Sequence, residues 1–174
     1  MEEKRYGVYS IRGAKENEWE EAMNLAWETF LIFQTKEYSK EGIKSFQEFI
    51  SSGELKKFFL EGIYQLFVAA KGEKIVGIIT LRNQSHISLL FVDKEYQRDG
   101  LGSLLVEYLS HYVLDENNRD YLTVDAAPSA VEFYQKIGFF ELAPMQSHQG
   151  ISYIAMKKNL RYIRKERKTN ERFF

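Results

Sequence analysis

The apolar positions of this chain change period several times along its length, and each change marks an element. Tyr6 to Arg12 alternates over a short stretch and predicts a first strand. From Glu16 to Phe33, residues Trp19, Ala22, Met23, Ala26, Trp27, Phe30 and Phe33 recur at helical spacing. They predict an amphipathic helix whose acidic first turn suits the helix dipole. A second helix is expected from about Lys40 to Ile50, with Ser39 as N-cap and Ile43, Phe46, Phe49 and Ile50 on its apolar side. Ser51-Ser52-Gly53 ends it, and Glu54 to Leu60 reads as a further short helical turn. Strands follow at Tyr64 to Ala70 and Ile75 to Arg82, joined by the hairpin signal Lys71-Gly72-Glu73-Lys74.

The next stretch, His86 to Leu109, organises the rest. Ile87 to Val92 is an apolar run broken only by Ser88 and predicts a central strand. Leu101, Leu104, Leu105, Tyr108, Leu109 and Tyr112 then form the stripe of a half-buried helix opening near Gly100. Between them lies Gln97-Arg98-Asp99-Gly100-Leu101-Gly102. Its glycines let a ligand approach the main chain, and a helix N-terminus presents unpaired N–H groups and partial positive charge. A glycine-bearing loop that feeds such a terminus is a cradle for phosphate oxygens. No Lys-Ser or Lys-Thr pair follows the second glycine, so this is not a P-loop, and the three glycines of the dinucleotide fingerprint are absent. Downstream, Tyr121 to Val124 is a strand and Ser129 to Ile137 a helix stopped by Gly138. Phe139 to Leu142 and Ile151 to Met156 complete the sheet. There is no internal repeat and no low-complexity linker.

The Gln-x-x-Gly-x-Gly spacing of Gln97, Gly100 and Gly102 after a strand resembles the acyl-CoA-binding motif of the GNAT superfamily of N-acetyltransferases. A second stretch, Ala127 to Phe139, resembles the family's next block, in which a helix carrying a tyrosine ends at Gly-Phe. The resemblance runs from roughly Tyr6 to Leu160. It implies one domain over residues 1–160, followed by a basic tail at 161–174. The implied fold class is α/β of the α+β type, a mixed, mostly antiparallel central sheet of about six or seven strands flanked by helices.

The implied activity is transfer of an acetyl group from acetyl-CoA to a primary amine. Main-chain N–H groups from Gln97, Arg98, Asp99, Gly100, Leu101, Gly102 and Ser103 are expected to hold the cofactor's pyrophosphate, and the backbone of Phe91 and Val92 to run beside its pantetheine arm. Tyr134 is the expected proton donor to the departing sulfur, since a phenol with a pKa near ~10 is protonated at neutral pH. It also lies on the stripe Ala130, Phe133, Tyr134, Ile137, which by itself describes a core residue. His86 is the expected proton acceptor, opening the central strand on the face that alternation shares with Ser88, Leu90 and Val92. Asp125 and His148 are weaker alternatives. Two departures from the family pattern bear on turnover. Asp99 puts a carboxylate near the pyrophosphate, unfavourable unless it points away or pairs with Arg98, and Ala127 removes a polar contact to the pantetheine. They favour the alternative of a CoA-binding sensor or scaffold that does not turn over.

Composition narrows the chemistry further. The 174 residues suit a single domain, and with 44% apolar and 28% charged residues they are those of an ordinary globular protein. Zero cysteines exclude disulfides, thiolate metal sites and an acyl-cysteine intermediate, and direct attack in a ternary complex is the expected mechanism. Three scattered histidines argue against a metal site. No apolar leader or membrane-length run occurs, so a cytoplasmic protein without membrane partner is expected. The net charge of −1 divides unevenly, with +6 over residues 157–172 and −7 elsewhere. That tail (Arg161, Arg164, Lys165, Arg167, Lys168) lacks a nucleic-acid recognition motif and reads as a solvated terminus rather than a nucleic-acid site. Glu37, Glu41 and Glu48 fit either a cationic acceptor or a solvated helix face. A homodimer is compatible with the family.

Overall fold

The computed structural model describes residues 2–163. Two short antiparallel strands, β1 (Lys4–Tyr6) and β2 (Tyr9–Gly13), open the chain. Three helices follow: α1 (Trp19–Phe33), α2 (Lys40–Ile50) and α3 (Gly53–Leu60). Ser39 caps α2 by accepting from the Gly42 N–H at 3.1 Å, and Ser52 caps α3 through the Leu55 N–H at 3.3 Å. The strands β3 (Gln65–Lys71), β4 (Lys74–Arg82) and β5 (His86–Val92) then form an antiparallel meander. Helix α4 (Leu101–Asp115) crosses over to β6 (Tyr121–Ala126), which runs parallel to β5. After α5 (Val131–Lys136) come β7 (Phe140–Glu141), β8 (Gln146–His148) and β9 (Ile151–Asn159). The sheet order is β1-β2-β3-β4-β5-β6-β9-β7, and β8 also pairs with β9.

The architecture is the expected mostly antiparallel sheet, but with nine strands among the described residues rather than six or seven. The expected first strand, Tyr6 to Arg12, is a hairpin: Tyr6 pairs with Tyr9 across Gly7-Val8, and Gly7 takes φ +60, which a side chain would resist. Strand β8 is polar and exposed, so it has no apolar rhythm to read. The strand expected at Phe139 to Leu142 shortens to two residues because Phe139 turns into the core.

Helices cover both faces of the sheet. One core packs α4 and α5 against Ile79, Leu81, Ile87, Leu122 and Val124; the other packs α1, α2 and α3 against Leu66, Val68, Ile78, Leu89 and Phe91. Strand β4 lies between the two layers, which is why its sequence is a continuous apolar run without alternation.

Two irregularities position the site. Strands β5 and β6 pair only at His86–Thr123 and Ile87–Val124, then diverge and leave the β6-facing backbone of the rest of β5 without a strand partner. On its other side β5 carries a bulge: Thr80 pairs with Leu89 and Leu81 with Ile87, so Ser88 is an extra residue. The bulge reverses the alternation expected from the sequence. Leu90 and Val92 pack toward α4 together with Ile87, whereas Leu89 and Phe91 face α1 and α2. His86, next to Ile87, therefore lies on the face opposite Leu90 and Val92. Arg161 ion-pairs with Asp120 at 2.6 Å. The rest of the basic tail, from residue 164 onward, lies outside the described residues.

Candidate active site

The cradle is assembled where β5 gives way to α4. Asp93 caps a turn of 3-10 helix over Lys94–Tyr96. Gln97 then donates from Nε2 to the Val92 carbonyl at 2.9 Å, which ties the loop back to the strand end. Arg98 (φ 72) and Gly100 (φ 76) both adopt left-handed backbone, and Gly100 becomes the N-cap of α4. The first backbone bond into the helix is Leu104 N–H to the Gly100 carbonyl, so the N–H groups of Leu101, Gly102 and Ser103 have no partner within the helix. Asp99 points away from these groups. Its Oδ2 accepts from the Tyr9 hydroxyl at 3.2 Å, not from Arg98, and the side chain is turned toward the N-terminal hairpin.

A cavity of about 740 Å³ lies in front of the cradle. Leu90 and Val92 form its β5 side, Gln97, Arg98 and Gly100–Ser103 its cradle end, and Ser129, Ala130, Phe133 and Tyr134 its α5 side. Of the residues expected to hold cofactor, only Phe91 and Asp99 are absent from this lining. Phe91 faces the other core, and only its backbone can serve the cavity. A side chain at Gly102 would meet the Phe133 ring at 3.3 Å, so the lack of one keeps the cradle open. Tyr96, Phe133 and Lys136 also line the cavity and were not singled out from the sequence. For Phe133 a signal existed, its place on the α5 stripe beside Tyr134, but that stripe reads equally as core.

Tyr134 is 5% exposed and makes edge contacts with Phe133 and Phe139, both at 5.1 Å between ring centres. Burial alone raises its pKa well above that of a free phenol. Among the described residues no buried side-chain polar atom lacks a partner.

A second cavity, of about 310 Å³, occupies the opposite face of the splayed strands. Leu90, Ala130 and Tyr134 belong to the walls of both, so the two spaces meet at the Tyr134 ring. The second is walled by Tyr38, Phe46 and Phe49 from the α1–α2 region, by Arg82, Ser88 and Asp125 from the sheet, and by Gln149 and Ile151 from the β8–β9 hairpin. Ala127 lines it too. His148 is exposed in β8, and its neighbour Gln149 takes the place in the wall.

Behind the Arg82–Asp125 part of this wall sits His86. Arg82 Nη2 lies 3.2 Å from His86 Nε2, and a guanidinium can only donate, so Nε2 is the acceptor. The ring proton is therefore on Nδ1, which donates to Thr123 Oγ1 at 2.9 Å. Burial first, and the Arg82 charge second, lower the pKa of His86, with Asp125 opposing them from 3.6 Å. The imidazole is thus neutral at pH 7. The turn that presents it is braced: Arg119 donates twice to Gln84 Oε1, at 3.1 and 2.9 Å, and Asn117 donates to the Gln84 carbonyl at 2.9 Å.

Among the described residues no group of three or more His, Cys, Asp or Glu is placed to hold a metal ion, and no helix is long and apolar enough to cross a membrane.

Comparison with known proteins bears on the family and the fold. The family model described as an acetyltransferase (GNAT) domain matches residues 34–160. A curated relative, the uncharacterized N-acetyltransferase YafP of Escherichia coli (strain K12), is 37% identical over 75 residues, covering 43% of this chain and 45% of the relative. The chain thus matches less than half the length of that protein. Among solved structures, a GCN5-related N-acetyltransferase from Rhodopseudomonas palustris superposes with a TM-score of 0.76 at 21% identity, covering 90% of this chain and 99% of that one. PaiA N-acetyltransferase from Thermoplasma acidophilum, solved in complex with coenzyme A, gives 0.69 at 18% identity over 87% and 98%. With a family model that spans most of its length and a fold shared across nearly all of it, the chain belongs to the GNAT family of acetyltransferases.

Proposed function

We propose that the protein transfers an acetyl group from acetyl-CoA to a primary amine by direct attack within a ternary complex. The observation that carries this reading is the junction of the two cavities at Tyr134: one runs to an anion cradle, and the other, lined by aromatic and polar side chains, lies on the opposite face of the splayed strands.

The cradle fits the diphosphate of coenzyme A. It offers the free N–H groups of Leu101, Gly102 and Ser103 at a helix N-terminus, and Arg98 adds a cation to the lining. Along the open edge of β5, backbone groups without a strand partner can pair with an extended amide-bearing arm as an added strand would. When bound, acetyl-CoA supplies a thioester whose carbonyl carbon receives the amine nitrogen while the C–S bond breaks. A free β5 N–H in the splay stabilises the negative charge that develops on that carbonyl oxygen. Tyr134 gives its proton to the departing sulfur, and the second proton, which the attacking nitrogen loses as the amide forms, restores the phenol. Its raised pKa keeps the phenol protonated at every working pH and makes it a donor rather than a base.

His86 accepts the proton that the ammonium must lose, relayed through water beside Asp125. Arg82 has to release Nε2 for this, and Asp125, 3.8 Å from the same guanidinium, is positioned to take it. Because Asp99 is held by Tyr9 away from the N–H groups, its charge does not argue for a module that binds without turnover.

The test is thiol release from acetyl-CoA in the presence of an amine panel, followed by mass detection of the acetylated product. With no cysteine in the chain, the protein contributes no thiol background. Absence of product with every amine, together with absence of acetyl-CoA binding, rejects the reading.

A further inference from the structure

We infer that the second cavity accepts a small monoamine with a flat apolar body, of the arylalkylamine class, in preference to a polyamine or a peptide chain; this rests on the acetyl transfer proposed above. Its volume of about 310 Å³ is at the lower end of the range for small-molecule sites, roughly 300–1,000 Å³.

The walls are aromatic and held in place. Phe46 is 8% exposed, stacks on Phe30 at 4.2 Å and tilts against Phe91 at 5.8 Å, so it presents a fixed surface. Tyr38 and Phe49 complete that side. A flat ring entering between them buries apolar area against surfaces that lose little side-chain freedom.

The charges argue in the same direction. Arg82 and Asp125 are the charged groups in the lining, and at 3.8 Å they offset one another. Glu37, Glu41 and Glu48 are absent from it: Glu37 lies 3.5 Å from the Ser129 N–H, and Glu48 pairs with Lys44. One ammonium can share Asp125 with Arg82, near the His86 ring. The further ammonium groups of a polyamine would enter a space whose lining holds no second carboxylate and does hold a guanidinium.

The roof opposes a peptide. The Ser39 N–H and hydroxyl both contact the Gly150 carbonyl, at 3.4 and 3.2 Å, and close the β8–β9 hairpin onto the start of α2. Gly42 and Gly150 approach so closely that a side chain on Gly42 would overlap the Gly150 carbonyl. A main chain would have to displace this contact to lie across that end of the cavity.

Saturation-transfer NMR on the full chain, with and without coenzyme A, would compare phenethylamine, tyramine, spermidine and tri-alanine, alongside turnover of each with acetyl-CoA. The expected result is saturable binding of the two aryl amines, at least tenfold tighter than spermidine or tri-alanine. Phe49→Ala and Asp125→Asn should each weaken aryl-amine binding about tenfold without changing acetyl-CoA affinity. Equal or tighter binding of spermidine or tri-alanine overturns the inference, as does absence of aryl-amine binding in a protein that binds acetyl-CoA; neither touches the proposed reaction. If acetyl-CoA does not bind, the proposed reaction falls, and amine selectivity measured without cofactor still decides the inference.

Discussion

Gly102 separates the cofactor reading from simple folding. It is the second residue of α4, and its backbone is not in the left-handed region, so an L side chain is sterically allowed there. A Cβ would lie 3.3 and 3.5 Å from two atoms of the partly exposed Phe133 ring, which can shift by a few tenths of an ångström. In Gly102→Val two further carbons extend about 1.5 Å beyond that, into the space in front of the helix N-terminus. Valine has a better helix propensity than glycine by a few tenths of a kcal/mol, which offsets part of the crowding. The expected change in stability is within about 1 kcal/mol, or roughly 2–4 °C in Tm for a chain of this length. The effect on a bound diphosphate is larger. Hydrogen bonds to a charged group contribute about 1.5–3 kcal/mol each. Displacing phosphate from two N–H groups therefore costs about 3–6 kcal/mol, a loss of at least ~150-fold in affinity. Isothermal titration of acetyl-CoA into wild type, Gly102→Val and Gly53→Ala would read this directly. Gly53 has no atom within 4 Å of its Cβ position and serves as the neutral control. A folded Gly102→Val protein that binds acetyl-CoA with wild-type affinity would refute the cradle.

Tyr134→Phe should lower kcat by about 100-fold or more while leaving acetyl-CoA affinity near wild type; an unchanged kcat removes the phenol from proton transfer. For His86, the neutral form is favoured on folding, so the folded chain binds fewer protons than the unfolded one just below the ordinary pKa of about 6.5. Stability should rise with pH through that window and level off above it, and urea titrations of His86→Gln should show the rise diminished. The acidic limb of kcat/KM should likewise lie below 6.5 in wild type and vanish in the variant. Glu18 takes two bonds from Arg12, at 2.8 and 2.7 Å, and these hydrogen bonds hold its pKa below the usual value. Glu18→Gln should cost about 1.5–3 kcal/mol at neutral pH. That contribution is present above the ordinary glutamate value of 4.5 and is lost as pH falls through the lowered one, so wild type and variant should converge in acid. Gly42→Ala should lift the β8–β9 hairpin, destabilise by about 1–3 kcal/mol and raise KM for the amine alone; a crystal structure of the variant with the hairpin still seated would contradict this.

Much of the frame is local and could be read from one segment at a time. The helices at 19–33, 40–50 and 101–115, the β3–β4 hairpin and the glycine loop each announce themselves by period, cap or turn residue within about a dozen positions. The second cavity could not be read in this way. Tyr38, Phe46 and Phe49 fit a helix-packing reading equally well, and only the course of the β8–β9 hairpin over α2 makes them walls of a cavity.

The sequence by itself therefore determined the order of the longer helices and strands, the exposed N–H groups of the cradle and the presence of Tyr134 on the helix that follows. Tertiary structure decided the rest. A single extra residue at Ser88 moves His86 to the opposite face of the sheet, where Arg82, Thr123 and Asp125 surround it. The outward turn of Asp99 likewise depends on Tyr9, 90 residues away. The physical reason is shared by both. Period and capping act within a turn or two of chain, whereas strand register and long-range pairing depend on which distant segments pack together, and no local pattern encodes that choice.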